Sequence, residues 1–244
     1  MTERVAIVTG GTRGLGAALS TALVNRDVTV AAAFRNDEAS ARMLRDRCGD
    51  HLHIHKVDVT DAEACSSLVE QVVSTHGRLD YLINNAGAVR ESKVANLEPK
   101  AWNESLALNL SAAFYMSQAA LVPMKEQRFG RIVNVSSVSS SMGTPFQVDY
   151  AAAKSGLTGL TRSLARAAAR ASVTVNCLVL GGFETDLLSD LTLTSRSAVE
   201  ATVPVGRFGQ PHEFAHAVLS LLDDNASYIT GAILTVDGGF SMGG

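Results

Sequence analysis

The sequence predicts an α/β fold: a single doubly wound domain of about seven parallel strands with helices on both faces. Three observations predict it. Short runs rich in Val, Ile and Leu alternate along the chain with longer amphipathic stretches. Those runs do not strictly alternate polar with apolar residues, the pattern of strands buried on both faces. The first run ends in a glycine-rich turn that opens directly into a helix.

Each element follows in order. Arg4–Thr9 reads as a strand and Leu15–Asn25 as a helix; Val28–Phe34 is a strand and Asp37–Cys48 a polar helix. Leu52–Val57 is a strand and Asp61–His76 a helix; Leu79–Asn84 is a strand and Ala101–Glu126 a long helix. Arg131–Val135, Val173–Val179 and Ala232–Val236 are strands, with helices over Tyr150–Ala169 and Glu213–Asp223 between them. The alternation implies βαβ units with right-handed crossovers, the Rossmann-type arrangement. No internal repeat or Pro/Ser-rich linker interrupts it, so residues 1–244 are expected to form one domain.

Composition narrows the function classes. Apolar residues make up 46% and charged residues 18%, the profile of an ordinary soluble protein. The formal net charge is −3 with no basic block, which argues against nucleic acid as a partner. No window approaches the roughly 20 apolar residues of a membrane span. The first strand begins almost at the N-terminus, leaving no room for a signal peptide. Cys48, Cys65 and Cys177 match neither a metal knuckle nor a disulfide framework, so a reducing, cytoplasmic setting is expected.

The turn after the first strand is T-G-G-T-R-G-L-G, Thr9 to Gly16. Glycines let backbone approach a ligand closely and adopt positive φ. The following helix offers free N–H groups and a positive dipole end to a pyrophosphate. Gly10, Thr12, Arg13, Gly14, Leu15 and Gly16 are therefore candidate cofactor contacts. A NAD site usually ends its second strand with Asp or Glu for the ribose 2′-OH. Here the strand ends Phe34-Arg35-Asn36. Arg35 can fork onto a 2′-phosphate, with Arg13 as a second cation, so NADP(H) is expected; two solvated surface arginines are the alternative. Asp58, next to Val59 after the third strand, could accept from an adenine amino group or cap the helix starting near Asp61.

In D-Y-A-A-A-K, Tyr150 and Lys154 stand four residues apart on an alanine platform, and so share a helix face. A nearby cation favours a phenolate, so Lys154 is expected to lower the Tyr150 pKa and make it an acid/base near neutrality. The alternative is a surface pair worth a few tenths of a kcal/mol. Asp149 lies about 100° around the helix from Tyr150 and is expected to point elsewhere.

These stretches occur together with N-N-A-G at Asn84–Gly87, L-N-L around Asn109, V-S-S at Val135–Ser137 and V-D-G-G-F at Val236–Phe240. The ordered set resembles the classical short-chain dehydrogenases/reductases over essentially the whole chain, in texture most similar to their 3-oxoacyl-[acyl-carrier-protein] reductases and related ketoreductases. The resemblance implies NADPH-dependent reduction of a carbonyl, most simply a 3-oxoacyl thioester, with another small ketone or alcohol as the runner-up. It implies Tyr150 as acid/base, Lys154 on the nicotinamide ribose, Ser137 on the substrate oxygen and Asn109 in a water-mediated proton relay. It places Asn85, Ala86, Gly87, Phe183 and Thr185 along the cofactor. It also implies a homotetramer, a substrate lid near 186–205, and a small-molecule or acyl-carrier-bound substrate; Leu187, Leu188, Leu191 and Leu193 could line an acyl channel or as easily pack the lid onto the body. For an acidic carrier, Arg128, Arg131, Arg166 and Arg170 could form a basic rim, or equally be ordinary solvated residues. Three departures stand out: Leu180 where proline is expected, Ala171-Ser172 where a glycine turn is common, and Asp149 before the tyrosine.

Two readings from other classes compete. H-E-F-A-H, His212 to His216, spells a zinc-hydrolase motif, but it lies in the first turn of a helix after Pro211 and lacks an evident third ligand. His51, His53 and His55 alternate on a strand, where a solvent-exposed face is the plain reading and adventitious metal the other. No metal site is expected. A non-catalytic NADP(H)-binding regulator would share the fold, and the intact Asn109, Ser137, Tyr150 and Lys154 set argues against it.

Overall fold

A computed structural model describes residues 3–185 and 193–243. The seven strands are β1 (Arg4–Thr9), β2 (Val28–Phe34), β3 (Leu52–Lys56), β4 (Tyr81–Asn84), β5 (Gly130–Ser137), β6 (Val173–Leu180) and β7 (Ile233–Val236). They form one parallel sheet in the order β3-β2-β1-β4-β5-β6-β7. The order reverses between β1 and β4, and the crevice at the carboxyl ends of that pair is where such sheets bind ligands.

The helices are α1 (Gly14–Val24), α2 (Glu38–Cys48), α3 (Ala62–His76), α4 (Pro99–Leu106), α5 (Ala112–Glu126), α6 (Ser139–Met142), α7 (Val148–Ala168), α8 (Leu193–Glu200) and α9 (Pro211–Leu222). Successive strand residues point to opposite faces and feed two cores. Ala6, Val8, Val30 and Ala32 pack with Leu19 and Leu23 of α1 and Phe214 and Val218 of α9. Val5, Ile7, Ala31 and Ala33 pack with Leu68 and Val72 of α3 and Met116 and Met124 of α5.

Several details depart from expectation. The helix Pro99–Glu126 runs unbroken through α4, a π-helical segment at Ala107–Ser111, and α5. It is 28 residues long and holds an 18-residue window with a mean hydropathy of 1.2, so by length and composition alone it could cross a membrane, which the sequence windows had not suggested. Its Met116, Ala120 and Met124 are instead fully buried against the sheet and α3. Of the three histidines only His51, in the turn before β3, is solvent-exposed. His53 and His55 are half-buried beneath α3, with the His53 ring 5.1 Å from that of His76, and burial holds both imidazoles below their ordinary pKa. Leu180 continues β6 by one residue and pairs with Ser137 on one side and Val236 on the other. Proline could not occupy such a doubly paired position without losing a donor. Ser172 replaces the glycine turn by taking a left-handed conformation, φ 61°. The expected lid spans 186–205; its first seven residues, with Leu187, Leu188 and Leu191, lie outside the described residues, as does the Leu193 side chain, while α8 forms part of the rest.

Candidate active site

Glycine at three positions lets the first crossover close. Gly10 and Gly14 hold φ of 62° and 52°, open to glycine at no steric cost. A Cβ on Gly16 would stand 2.0 Å from the Gly10 carbonyl oxygen. Around this turn, Gly11 donates to the Ala33 carbonyl at 3.1 Å and receives at its own carbonyl the Ser20 hydroxyl at 2.8 Å. Helix α1 starts after Arg13. Among the described residues no side chain caps its N-terminal N–H groups and no acidic residue lies in the first turn, which fits a pyrophosphate.

The turn is stitched to the end of β4. Thr9 Oγ1 accepts from the Asn85 and Ala86 N–H groups, both at 3.0 Å, and Asn85 Nδ2 donates to the Thr9 carbonyl at 2.9 Å. Thr9 is a positioning residue that sequence inspection passed over; its place at the last position of the strand before the glycines was the available signal. Thr185 closes the other side, its methyl 3.8 Å from where a Gly14 Cβ would lie. Phe183 behaves differently: its ring is buried against Phe214 and its backbone bridges to Gly209, so only its backbone is left for a cofactor. Thr12 is buried, Leu15 packs against the α1–α9 core, and Val59 belongs to the opposite core.

At the end of β2, Arg35 and Asn36 are exposed, and Arg35 Nη1 lies 3.8 Å from Asp58 Oδ2. Asp58 does not cap α3. That helix is capped by Asp61, which accepts from Glu63 N at 2.9 Å and Ala64 N at 3.2 Å, while Asp58 binds Thr60. A carboxylate that sequence inspection did not weigh, Asp37, also stands at this corner. It caps α2, accepting from Ser40 N at 3.0 Å and Ser40 Oγ at 2.7 Å, and those bonds, with nearby Arg13, hold it below its ordinary pKa. Asp37 is therefore committed, whereas Arg13 and Arg35 project to solvent.

The residues that the sequence singles out for chemistry converge at the carboxyl ends of β4 and β5. Asn109 sits in the π-helical segment, which re-aims its side chain toward the strand ends. It accepts from Ala88 N at 3.1 Å and donates to the Ala88 carbonyl at 2.9 Å and the Ser105 carbonyl at 3.1 Å. A Cβ on Gly87 would lie 2.9 Å from Asn109 Oδ1 and 3.2 Å from Lys154 Nζ, so Gly87, Asn109 and Lys154 share one small space. Lys154 is 3% exposed and donates to the Val135 carbonyl at 2.8 Å, while its own carbonyl receives Ser136 Oγ at 2.9 Å. Ser136 thus clamps α7 to β5. Asp149 is buried on the neighbouring face of the helix.

Electrostatics correct one expectation. The Tyr150 phenol stands above its ordinary pKa: burial disfavours the phenolate, and the nearby Ser137 hydroxyl pulls the other way. Lys154 is not among the groups that lower it. Its ammonium, 5.6 Å from the Tyr150 ring centroid, is spent on the Val135 carbonyl, and burial pulls it down to about 8. Cys177, behind Lys154, has its thiol pushed up to about 11 by burial and is an inert neighbour. The site therefore holds a protonated phenol and a hydroxyl at the mouth of a crevice.

The rival constellation does not assemble. His212 and His216 line a shallow cleft between α1 and α9 with Ala18, Thr21 and Asn25. Glu213 is forked by Arg207 at 2.8 Å through both nitrogens, accepts from Gln210 N at 2.7 Å, and is held down to about 2. Among the described residues no three metal-ligating side chains come together. The arginine rim also fails as drawn: Arg131 is 3% exposed and stacked on Phe129, and Arg128, Arg166 and Arg170 lie at the far end of α7 from Tyr150.

Comparison with known proteins agrees with this geometry. Residues 10–241 match a family model described as enoyl-(acyl carrier protein) reductase. The 3-oxoacyl-[acyl-carrier-protein] reductases FabG of Vibrio harveyi and of Escherichia coli K12 are each 38% identical over 239 residues, covering 98% of this chain and 98% of theirs. The acetoacetyl-CoA reductase of Rhizobium meliloti is 36% identical over 240 residues, 97% of this chain and 98% of its own. The chain belongs to the short-chain dehydrogenase/reductase family and is a nicotinamide-dependent oxidoreductase that acts on carbonyl compounds.

Proposed function

We propose that the protein reduces a 3-oxoacyl thioester to its 3-hydroxy product, with NADPH as hydride source and Tyr150 as proton donor. The observation that carries this is the meeting of Tyr150, Ser137 and Lys154 beside an uncapped α1 N-terminus at the sheet's reversal point. The bound nicotinamide supplies the hydride. Ser137 donates to the carbonyl oxygen as charge develops there, and Tyr150 delivers the proton. A phenol held above its ordinary pKa is fully protonated at neutral pH, the form that reduction needs at the outset. Lys154 would hold the nicotinamide ribose beside the phenol, and Asn109, bonded to both the N–H and the carbonyl of Ala88, fixes the backbone that follows β4 beside it.

The choice of NADPH rests on Arg35 and Arg13 reaching solvent at a corner where Asp37 is engaged in capping and Arg35 is only loosely paired, at 3.8 Å, with Asp58. The substrate class rests on the relatives, which are 3-oxoacyl-[acyl-carrier-protein] and acetoacetyl-CoA reductases. Exposed Phe114 and Val122 on α5, and Leu234 and Tyr228 along the β7 edge, support burial between subunits of a homotetramer in the cytoplasm. The test is oxidation of NADPH by acetoacetyl-CoA, compared with crotonyl-CoA and with NADH. Faster turnover of the enoyl thioester, or a preference for NADH, would refute the assignment.

A further inference from the structure

The hydroxyl that faces the substrate is not free. Ser137 Oγ lies 3.4 Å from Ser139 Oγ and accepts from Ser139 N at 3.3 Å. Ser139 Oγ is also 3.2 Å from Gln147 Oε1 and 3.3 Å from Thr144 Oγ1. A serine hydroxyl has one proton to give and two lone pairs to receive. Ser139, with three partners, is saturated. Gln147 fixes the direction of every bond in the cluster. Its Nε2 donates to Glu91 Oε1 at 3.4 Å, so the amide oxygen is the end that faces Ser139. An amide oxygen only accepts, so the Ser139 proton must go to Gln147. Ser139 must then receive the protons of Thr144 and Ser137.

The chain is held in place by backbone. Ser92 N donates to the Phe146 carbonyl at 2.8 Å, joining the loop that carries Glu91 to the loop that carries Gln147. Ser139 opens α6, directly after the end of β5. Glu91 and Gln147, 56 residues apart, are thus brought together beside Ser137 by two loops that only the fold makes neighbours.

We infer that Ser139 and Gln147 form a hydrogen-bond latch that keeps the Ser137 proton off the substrate oxygen until a carbonyl displaces it. This rests on the reading above that Ser137 donates to the carbonyl. A ketone oxygen only accepts, so Ser137's single proton serves either Ser139 or the substrate. Every productive complex must break the Ser137–Ser139 bond. The latch weakens ketone binding by about the worth of one neutral hydrogen bond, roughly three- to tenfold. In exchange it keeps the hydroxyl in one orientation. Ser139 and Gln147 are positioning residues that act through Ser137.

The experiment is steady-state kinetics with acetoacetyl-CoA at saturating NADPH. Ser139→Ala removes the acceptor. Gln147→Leu frees the Ser139 proton to turn toward Ser137. Both should lower KM for the ketone about three- to tenfold while leaving KM for NADPH unchanged, a direction opposite to that of simple damage. In a double-mutant cycle, Ser139→Ala should be silent in a Ser137→Ala background. A KM that rises or stays put in both single variants overturns the latch, as does an effect that survives the loss of Ser137. If Ser137→Ala alone leaves ketone reduction intact, the underlying role of Ser137 fails and the latch fails with it. If Ser137→Ala impairs reduction but the two single variants do not lower KM, only the latch fails.

Discussion

Lys154 is the place where the fold stores an electrostatic cost. Its ammonium is 3% exposed, makes one side-chain hydrogen bond, to the Val135 carbonyl, and is pulled from 10.5 down to about 8 by burial. That difference corresponds to roughly 3 kcal/mol against the charged form in the folded state. The sign follows from proton counts. Below about pH 8 the lysine is protonated in both folded and unfolded chains and the penalty is constant. Between about pH 8 and 10.5 the unfolded chain holds the proton that the folded chain has lost, so stability rises with pH. The perturbation is Lys154→Met. Urea unfolding of parent and variant across this window gives the assay, and other titrating groups cancel in the difference between the two proteins. The parent should gain roughly 3 kcal/mol on the variant between pH 7 and 11. A stability difference that does not change with pH would show that the ammonium is solvated and would refute the burial argument.

Three further outcomes are expected. Gly16→Ala should abolish cofactor binding, because its Cβ would meet the Gly10 carbonyl oxygen at 2.0 Å; dinucleotide fluorescence titration measures this. Arg35→Ser should weaken NADPH by about tenfold or more, the worth of a charge-assisted bond, and leave NADH unaffected in the same titration. Replacing His53 and His55 by Asn and Leu should flatten the loss of stability below about pH 6.5. Both imidazoles lie below their ordinary pKa, so the parent loses stability as acid forces protonation under α3. Thermal melts from pH 5 to 8 read this directly.

Much of the fold is legible in the sequence because parallel strands announce themselves. Most are apolar runs, β3 (L-H-I-H-K) being the exception, and the boundaries of all seven agree with the structure to within a residue or two. What escapes is short or interrupted. The four-residue α6 lies in a serine-rich stretch that reads as loop. The π-helical turn at Asn109 leaves no periodicity signal, because one extra residue in a turn does not change the run's apolar pattern. The candidate site is legible where motif spacing is local, as at Tyr150 and Lys154. It is illegible where side chains meet across the sheet. Ser136 on the Lys154 carbonyl, Thr9 on the Asn85–Ala86 backbone and the Glu91–Gln147 pair all depend on contacts between distant segments. The expected tuning of Tyr150 by Lys154 fails for a related reason: helix spacing gives proximity, but burial and the Val135 carbonyl decide where the ammonium's charge is spent.

The most direct test of the account is Tyr150→Phe, which removes one oxygen from a residue packed on the α7 face beside Lys154. With NADPH and acetoacetyl-CoA, the variant should bind the dinucleotide like the parent and lose about a hundred- to ten-thousandfold in kcat, the usual worth of a positioned proton donor. Reduction at the parent's rate by a folded Tyr150→Phe protein would contradict it.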